Sequence, residues 1–245
     1  MREILRLEYG SRAHGTATEF SDNDTMSIRV ESPEFITGLG RVKTTHNSTA
    51  EAGERSGVGD TDTTVYPLRK FAELAAHGNP TVLAAFFVDD SDIEYSSPVG
   101  ERLRGNYGAF ISKQAGSRFR GYASSQRLSL TGQRNKKTNR PELVHIHGYD
   151  TKFAYHLIRL QIQGIELMEN GWINLPMAED DIDLLMNIRL GKLSKDEVLA
   201  LSDSLDSGLT MAIESSRIQD EPDRKTINRL MHDIYMETWN DQSYN

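Results

Sequence analysis

The stretch that most constrains this chain is Gly10-Ser11-Arg12-Ala13-His14-Gly15, followed by Ser21-Asp22-Asn23-Asp24. The run Ile4-Leu5-Arg6-Leu7-Glu8-Tyr9 ahead of it alternates apolar and polar residues, as a half-buried strand does. Thr25-Met26-Ser27-Ile28-Arg29-Val30 alternates again. The unit therefore reads strand, Gly-Ser turn, short helix or loop, strand. Side chains two apart on a strand share a face, so Asp22 and Asp24 can converge on one point. Two hard oxygen ligands suit Mg²⁺, which takes one or two carboxylates plus substrate phosphates. Gly10 and Gly15 let the backbone approach a ligand without a Cβ in the way. Amides of such a turn bind phosphate oxygens, and Ser11 adds a hydroxyl. Read as a plain turn instead, S-D-N-D is also good loop chemistry.

The unit resembles the nucleotidyltransferase signature of the DNA polymerase beta superfamily, G-S-x-x-x-G followed by S-D-x-D. The nearer likeness is to the RNA-repair-associated bacterial and phage "predicted nucleotidyltransferase" group. Three further segments are similar to that group: Asp62 to Phe71, Gly78 to Leu83 and Lys152 to Leu160. The resemblance implies a metal-dependent transfer of a nucleoside monophosphate from a nucleoside triphosphate to a hydroxyl, with pyrophosphate released. It also implies two Mg²⁺ ions, for which Mn²⁺ can substitute, held by Asp22, Asp24 and a third carboxylate on a neighbouring strand. That third group is Asp62, with Asp60 as the alternative. Gly10, Ser11 and Arg12 would hold the nucleotide's phosphates. Lys152, His156 and Arg159 fall at i, i+4 and i+7 of a helical pattern and share a face. The resemblance makes them a cationic grip on the triphosphate; as a plain pattern they are a surface stripe.

The 245 residues carry a net charge of −8, and that figure hides an asymmetry. Between Arg102 and Pro141 stand ten Lys or Arg and no Asp or Glu. One reading is a surface for a phosphate-rich partner such as RNA, through Arg118, Arg120, Arg127, Arg134, Lys136, Lys137 and Arg140. The other is a helix whose arginines pair with acids elsewhere in the fold. With no cysteine there is no disulfide, thiolate zinc site or cysteine nucleophile. No signal-like segment and no apolar run of membrane-spanning length stands in the sequence, so a cytoplasmic protein without a membrane partner is expected.

The fold class expected is α+β. Residues 1–100 form a small mixed-sheet nucleotidyltransferase core with flanking helices. Residues 101–245 form a helical domain with a basic helix and loop at 102–141. Thr37 to Asp60 reads as an excursion or hairpin. Asp62–Tyr66 reads as the third strand and Leu68–His77 as a helix. Thr81–Val88 reads as a helix, with a buried strand as the alternative. Helices are expected over 102–130, with a break near Gly105, Gly116 or Gly121, and over 151–170, 176–189, 194–218 and 223–239. Ser194 and Glu197 form a capping box. His145-Ile146-His147 reads as a short strand whose histidines face one way, as hydrogen-bonding groups near the site or as metal ligands. A rival to the enzyme is a non-catalytic nucleotide-binding or antitoxin-like module. A protein or small-molecule hydroxyl is a rival to RNA as the acceptor.

Overall fold

The computed structural model describes residues 1–50, 56–134, 138 and 140–241. Lys136 and Lys137 of the basic loop lie outside the described residues. A five-stranded mixed sheet stands at the N-terminal end, in the order β3-β4-β2-β1-β5. Its strands are β1 (Arg2–Tyr9), β2 (Asn23–Val30), β3 (Thr45–Ser48), β4 (Thr61–Pro67) and β5 (Ile93–Ser96). β2 runs antiparallel to β1 and parallel to β4. Leu5 faces Ile28 and Leu7 faces Met26 across β1 and β2, so these four side chains form one apolar face. A register shift between Glu3 and Leu5 puts Ile4 and Leu5 both in the interior, which strict alternation would forbid.

Ten α-helices among the described residues surround and extend this sheet. α1 (Pro33–Thr37) opens the excursion, and β3 closes it by pairing antiparallel with β4. α2 (Leu68–Ala76) buries Leu68, Phe71, Ala72 and Ala75. α3 (Pro80–Ala84) is the short form of the helix expected after Asn79, whose side chain accepts from the amides of Thr81 and Val82. The long basic helix divides near Gly105, into α4 (Pro98–Gly105) and α5 (Lys113–Leu130). It does not break at Gly116, which lies buried in α5 against Met168 and Ile213.

α6 (Pro141–His147) replaces the short strand expected at His145–His147. Proline at the first helical position and Gly148 at φ +79° bound a single helical segment. Residues i and i+2 of a helix point to different sides, so the two histidines do not share a face. α7 (Thr151–Asn170) matches its expected limits, capped by Asp150 at one end and by Gly171 at φ +83° at the other. α8 (Glu179–Arg189), α9 (Lys195–Ser215) and α10 (Arg224–Asn240) follow, and the capping box of Ser194 and Glu197 is formed. One apolar cluster runs from the sheet through α2 and α5 into α7 and α9. Among the described residues no helix is long and apolar enough to cross a membrane.

The last helix returns to the sheet. Tyr235 of α10 donates its hydroxyl to Glu31 Oε2 at 2.7 Å, and Trp239 Nε1 donates to the Glu31 carbonyl at 2.8 Å. Both Glu31 and Tyr235 are buried, so the bond partners a carboxylate that has little access to water. Tyr235→Phe leaves that oxygen unpartnered and is expected to cost about 1–3 kcal/mol. A urea titration checks this: the midpoint should fall while the slope stays constant.

Candidate active site

The register of the sheet assembles the acidic cluster. Asp24 on β2 is the parallel partner of Asp62 on β4, and Tyr9 on β1 is its antiparallel partner. Asp22 immediately precedes β2. Ligand oxygens of Asp22, Asp24 and Asp62 all lie within 4.8 Å of one another. The trio is an all-oxygen donor set of the kind Mg²⁺, Mn²⁺ and Ca²⁺ prefer. Burial first, then the charges of Asp22 and Asp62, together push the Asp24 carboxyl up to about 6 against the pull of Lys152. Three carboxylates this crowded, with no ion pair to a cation among the described residues, are the arrangement that a metal ion relieves. The Tyr9 phenol, raised to about 12 chiefly by burial, stays protonated beside them.

Asp60, the alternative third carboxylate, is taken up elsewhere. It accepts from the Gly57 amide at 3.0 Å and from Thr49 Oγ1 at 3.2 Å, which closes the turn into β4. Asp62 instead accepts from Ser56 Oγ at 2.7 Å while facing the other two aspartates.

The glycine turn packs directly on this cluster. Gly10 has φ +78°, and a Cβ placed there would stand 2.1 Å from Asp24 Oδ2. The turn is fixed by bonds from the His14 amide to the Gly10 carbonyl and from the Thr16 amide to the Ser11 carbonyl. Helix α7 anchors its far side, where Tyr155 OH meets Thr16 Oγ1 at 2.6 Å and Arg159 Nη1 meets His14 Nε2 at 2.9 Å. Burial, then the charge of Arg159, holds His14 well below the usual imidazole range. Neutral His14 can thus accept a hydrogen bond from the Arg159 guanidinium at Nε2.

A cleft of about 430 Å³ opens between turn and helix, lined by Gly10, Ser11, Asp22, Asp24, Lys152, Tyr155, His156, Arg159 and Arg189 among others. Lys152, His156 and Arg159 do share one wall, as the helical spacing requires. They are not three cations: burial, followed by Arg159 and Lys152, drives His156 well below its ordinary value, so it is neutral. The third cation on the helical side, beside Lys152 and Arg159, is Arg189, which closes α8. It donates to the Thr16 carbonyl and lies 5.3 Å over the Tyr155 ring. In the sequence Arg189 is only a basic residue in a helix's last turn, where the dipole favours one anyway. Among the described residues no ion pair ties Lys152, Arg159 or Arg189 to a carboxylate, whereas Arg140 reaches Asp150 at 3.3 Å.

Other candidates are placed away from the cleft. Arg12 is exposed and pairs with Glu8 at 3.2 Å, outside the lining. His145 is exposed, and the ring of His147 packs on Gly191. Neither histidine joins a metal-ligand cluster among the described residues. Six of the ten basic residues between Arg102 and Pro141 form ion pairs. Arg102 meets Glu237, Arg104 meets Asp90, Lys113 meets Asp220, Arg120 meets Asp206, Arg127 meets Asp203 and Arg140 meets Asp150. The pairing alternative therefore describes much of the stretch. Arg118 and Arg134 are exposed, with no such partner among the described residues.

Comparison with family models matches residues 1–233 to RlaP, the RNA repair pathway DNA polymerase beta family. The chain belongs to this polymerase beta family. The match takes in every cleft residue from Gly10 to Arg189 and the whole sheet. Membership in the RNA repair pathway DNA polymerase beta family supports nucleotidyltransferase chemistry in general, and the Asp22, Asp24 and Asp62 cluster supports a divalent metal within it. A search of curated proteins found no match.

Proposed function

We propose that this protein is a Mg²⁺-dependent nucleotidyltransferase that moves a nucleoside monophosphate from a nucleoside triphosphate to an RNA 3′ hydroxyl and releases pyrophosphate. The observation that carries this reading is the facing of two walls across one cleft. Asp22 and Asp24 stand on one side, with Asp62 converging on them from behind. Lys152, Arg159 and Arg189 stand on the other, without carboxylate partners among the described residues. A metal–triphosphate complex is the ligand that satisfies both walls at once.

When bound, two divalent ions at Asp22, Asp24 and Asp62 supply Lewis-acid charge at the reacting phosphoryl group. Gly10, Ser11 and the turn amides hold the terminal phosphates. Arg159, fixed by neutral His14 and by Gln163 at 2.7 Å, meets the negative charge that grows toward the leaving pyrophosphate. Asp62 takes the proton from the attacking hydroxyl as its oxygen bonds the α-phosphorus. The bond from that phosphorus to the α–β bridging oxygen breaks, and pyrophosphate leaves with the electron pair. The family's RNA repair setting supports RNA as the acceptor.

Label transfer tests the reading. Each α-³²P-labelled ribonucleoside triphosphate is incubated with the protein, Mg²⁺ and total cellular RNA, with cellular protein in parallel tubes. Label on RNA that the Asp22→Ala/Asp24→Ala protein does not produce is the expected result. Label only on protein overturns the RNA acceptor, and label nowhere favours a non-catalytic binder.

RNA binding through the basic helix has its own measure. Arg118→Glu with Arg134→Glu should weaken single-stranded RNA binding and flatten the plot of log affinity against log salt. The slope should change by about 0.7 for each phosphate that is no longer neutralised. An unchanged slope removes these two residues from the RNA path.

A further inference from the structure

Phe20 is 73 % exposed, more than any other aromatic side chain among the described residues; Trp172 follows at 47 %. It stands two residues ahead of Asp22 and lines the cleft with Ser21, Asp22 and Asp24. A ring left in water contributes nothing to folding through burial. The backbone that carries it is nevertheless fixed. The Thr18 amide donates to Ser21 Oγ at 2.9 Å, the Ser21 amide to the Thr18 carbonyl at 3.0 Å, and the Phe20 amide to Thr18 Oγ1 at 3.3 Å. Ser21 is buried, so the turn closes inward and holds Phe20 outward at the mouth of the acidic cluster.

We infer that Phe20 is a stacking platform for the 3′-terminal base of the RNA acceptor, an inference that rests on the RNA 3′ end proposed above. An aromatic ring beside a cationic groove is how single strands are bound without sequence preference, because every base has a π face. Arg140, which also pairs with Asp150, lines the same cleft and gives that side of it positive charge toward the strand's phosphates. The platform is open on its far side. A mononucleotide's base stacked there would leave its second face in water, whereas in a strand the penultimate base covers it. The geometry thus favours the end of a strand over the base of the triphosphate. It also predicts tolerance of any terminal base, since a phenyl ring reads no hydrogen-bonding edge.

The test is anisotropy of a short single-stranded oligoribonucleotide, labelled at its 5′ end, with the full chain in EDTA so that no transfer occurs. Phe20→Ala should weaken binding about 5- to 100-fold, the worth of one stacked base. Phe20→Trp should bind as tightly as wild type or more tightly, and Phe20→Leu should fall with Phe20→Ala. An oligonucleotide with an abasic 3′-terminal position should lose affinity for wild type and lose nothing further with Phe20→Ala. Melting temperatures of the variants confirm that the fold is intact. RNA binding by Phe20→Ala equal to wild type overturns the platform alone, as does an abasic loss that persists in that variant. A wild-type protein that binds no RNA overturns the acceptor reading and the platform with it.

Discussion

Asp24→Asn is expected to lower nucleotidyl transfer about 10³-fold or more while making the metal-free protein more stable. The loss of activity follows from removing one of the three charges proposed to hold the metal, as large losses follow when a transition-state charge loses its partner. The gain follows from the repulsion and burial that raise the Asp24 carboxyl from its ordinary 3.8 to about 6. A folded-state value above the unfolded one means the folded chain binds that proton more tightly. The Asp24 contribution is therefore most favourable below pH 4, worsens as pH rises from about 4 to 6, and stays unfavourable above. Asparagine removes that penalty, worth about 1–2 kcal/mol at neutral pH, or a melting temperature higher by about 2–8 °C. Melts in EDTA from pH 4 to pH 8 check it: the two proteins should converge at the acid end and part above pH 6. Added Mg²⁺ should raise the wild-type melting temperature and leave the variant's nearly unchanged. A variant less stable than wild type at pH 7 in EDTA would show that the cluster is not under electrostatic strain.

Gly10→Ala should abolish transfer as thoroughly, with the opposite effect on stability. The residue has φ +78°, where a side chain is strained whatever the space, and its Cβ would stand 2.1 Å from Asp24 Oδ2. Either the turn opens or the carboxylate moves, and both separate the proposed phosphate cradle from the proposed metal ligands. The expected cost is about 1–3 kcal/mol. Read by the same melts, the variant should fall below wild type at every pH, because its strain does not titrate. Retained activity would show that the turn can move from Asp24 without consequence for the site.

What could be read in the sequence divides by the range of the interactions involved. The strand-turn-strand unit, the limits of α7 and the capping box of α9 are local, set by alternation, by Gly171 and by the pair Ser194 and Glu197. Strands β3 and β5 are four residues each, too short for a period to show, and β5 is defined by β1 at the far end of the sheet's sequence, so their own composition carries little signal. His145 and His147 show the ambiguity of a short segment: a period of two is visible, yet Pro141 and Gly148 set a helix. The basic stretch misleads for a related reason. Arg120 and Asp206 stand 86 residues apart, and only the packing of α5 beside α9 makes them a pair. Arg189 and Phe20 carry no signal of their own in the sequence. A helix-end arginine and a loop aromatic are ordinary until the fold brings both to one cleft.

The latch of α10 onto Glu31 has a consequence for the order in which the molecule is completed. β2 carries Asp24 near its start, and Glu31 follows its last residue, Val30. A ribosome would release the entire acidic cluster long before it released Tyr235 and Trp239. Until then the Glu31 carboxylate lacks its buried partner, and the central strand remains open at one end. A half-made chain would thus carry all three aspartates before α10 has closed on the residue that follows the strand bearing Asp24.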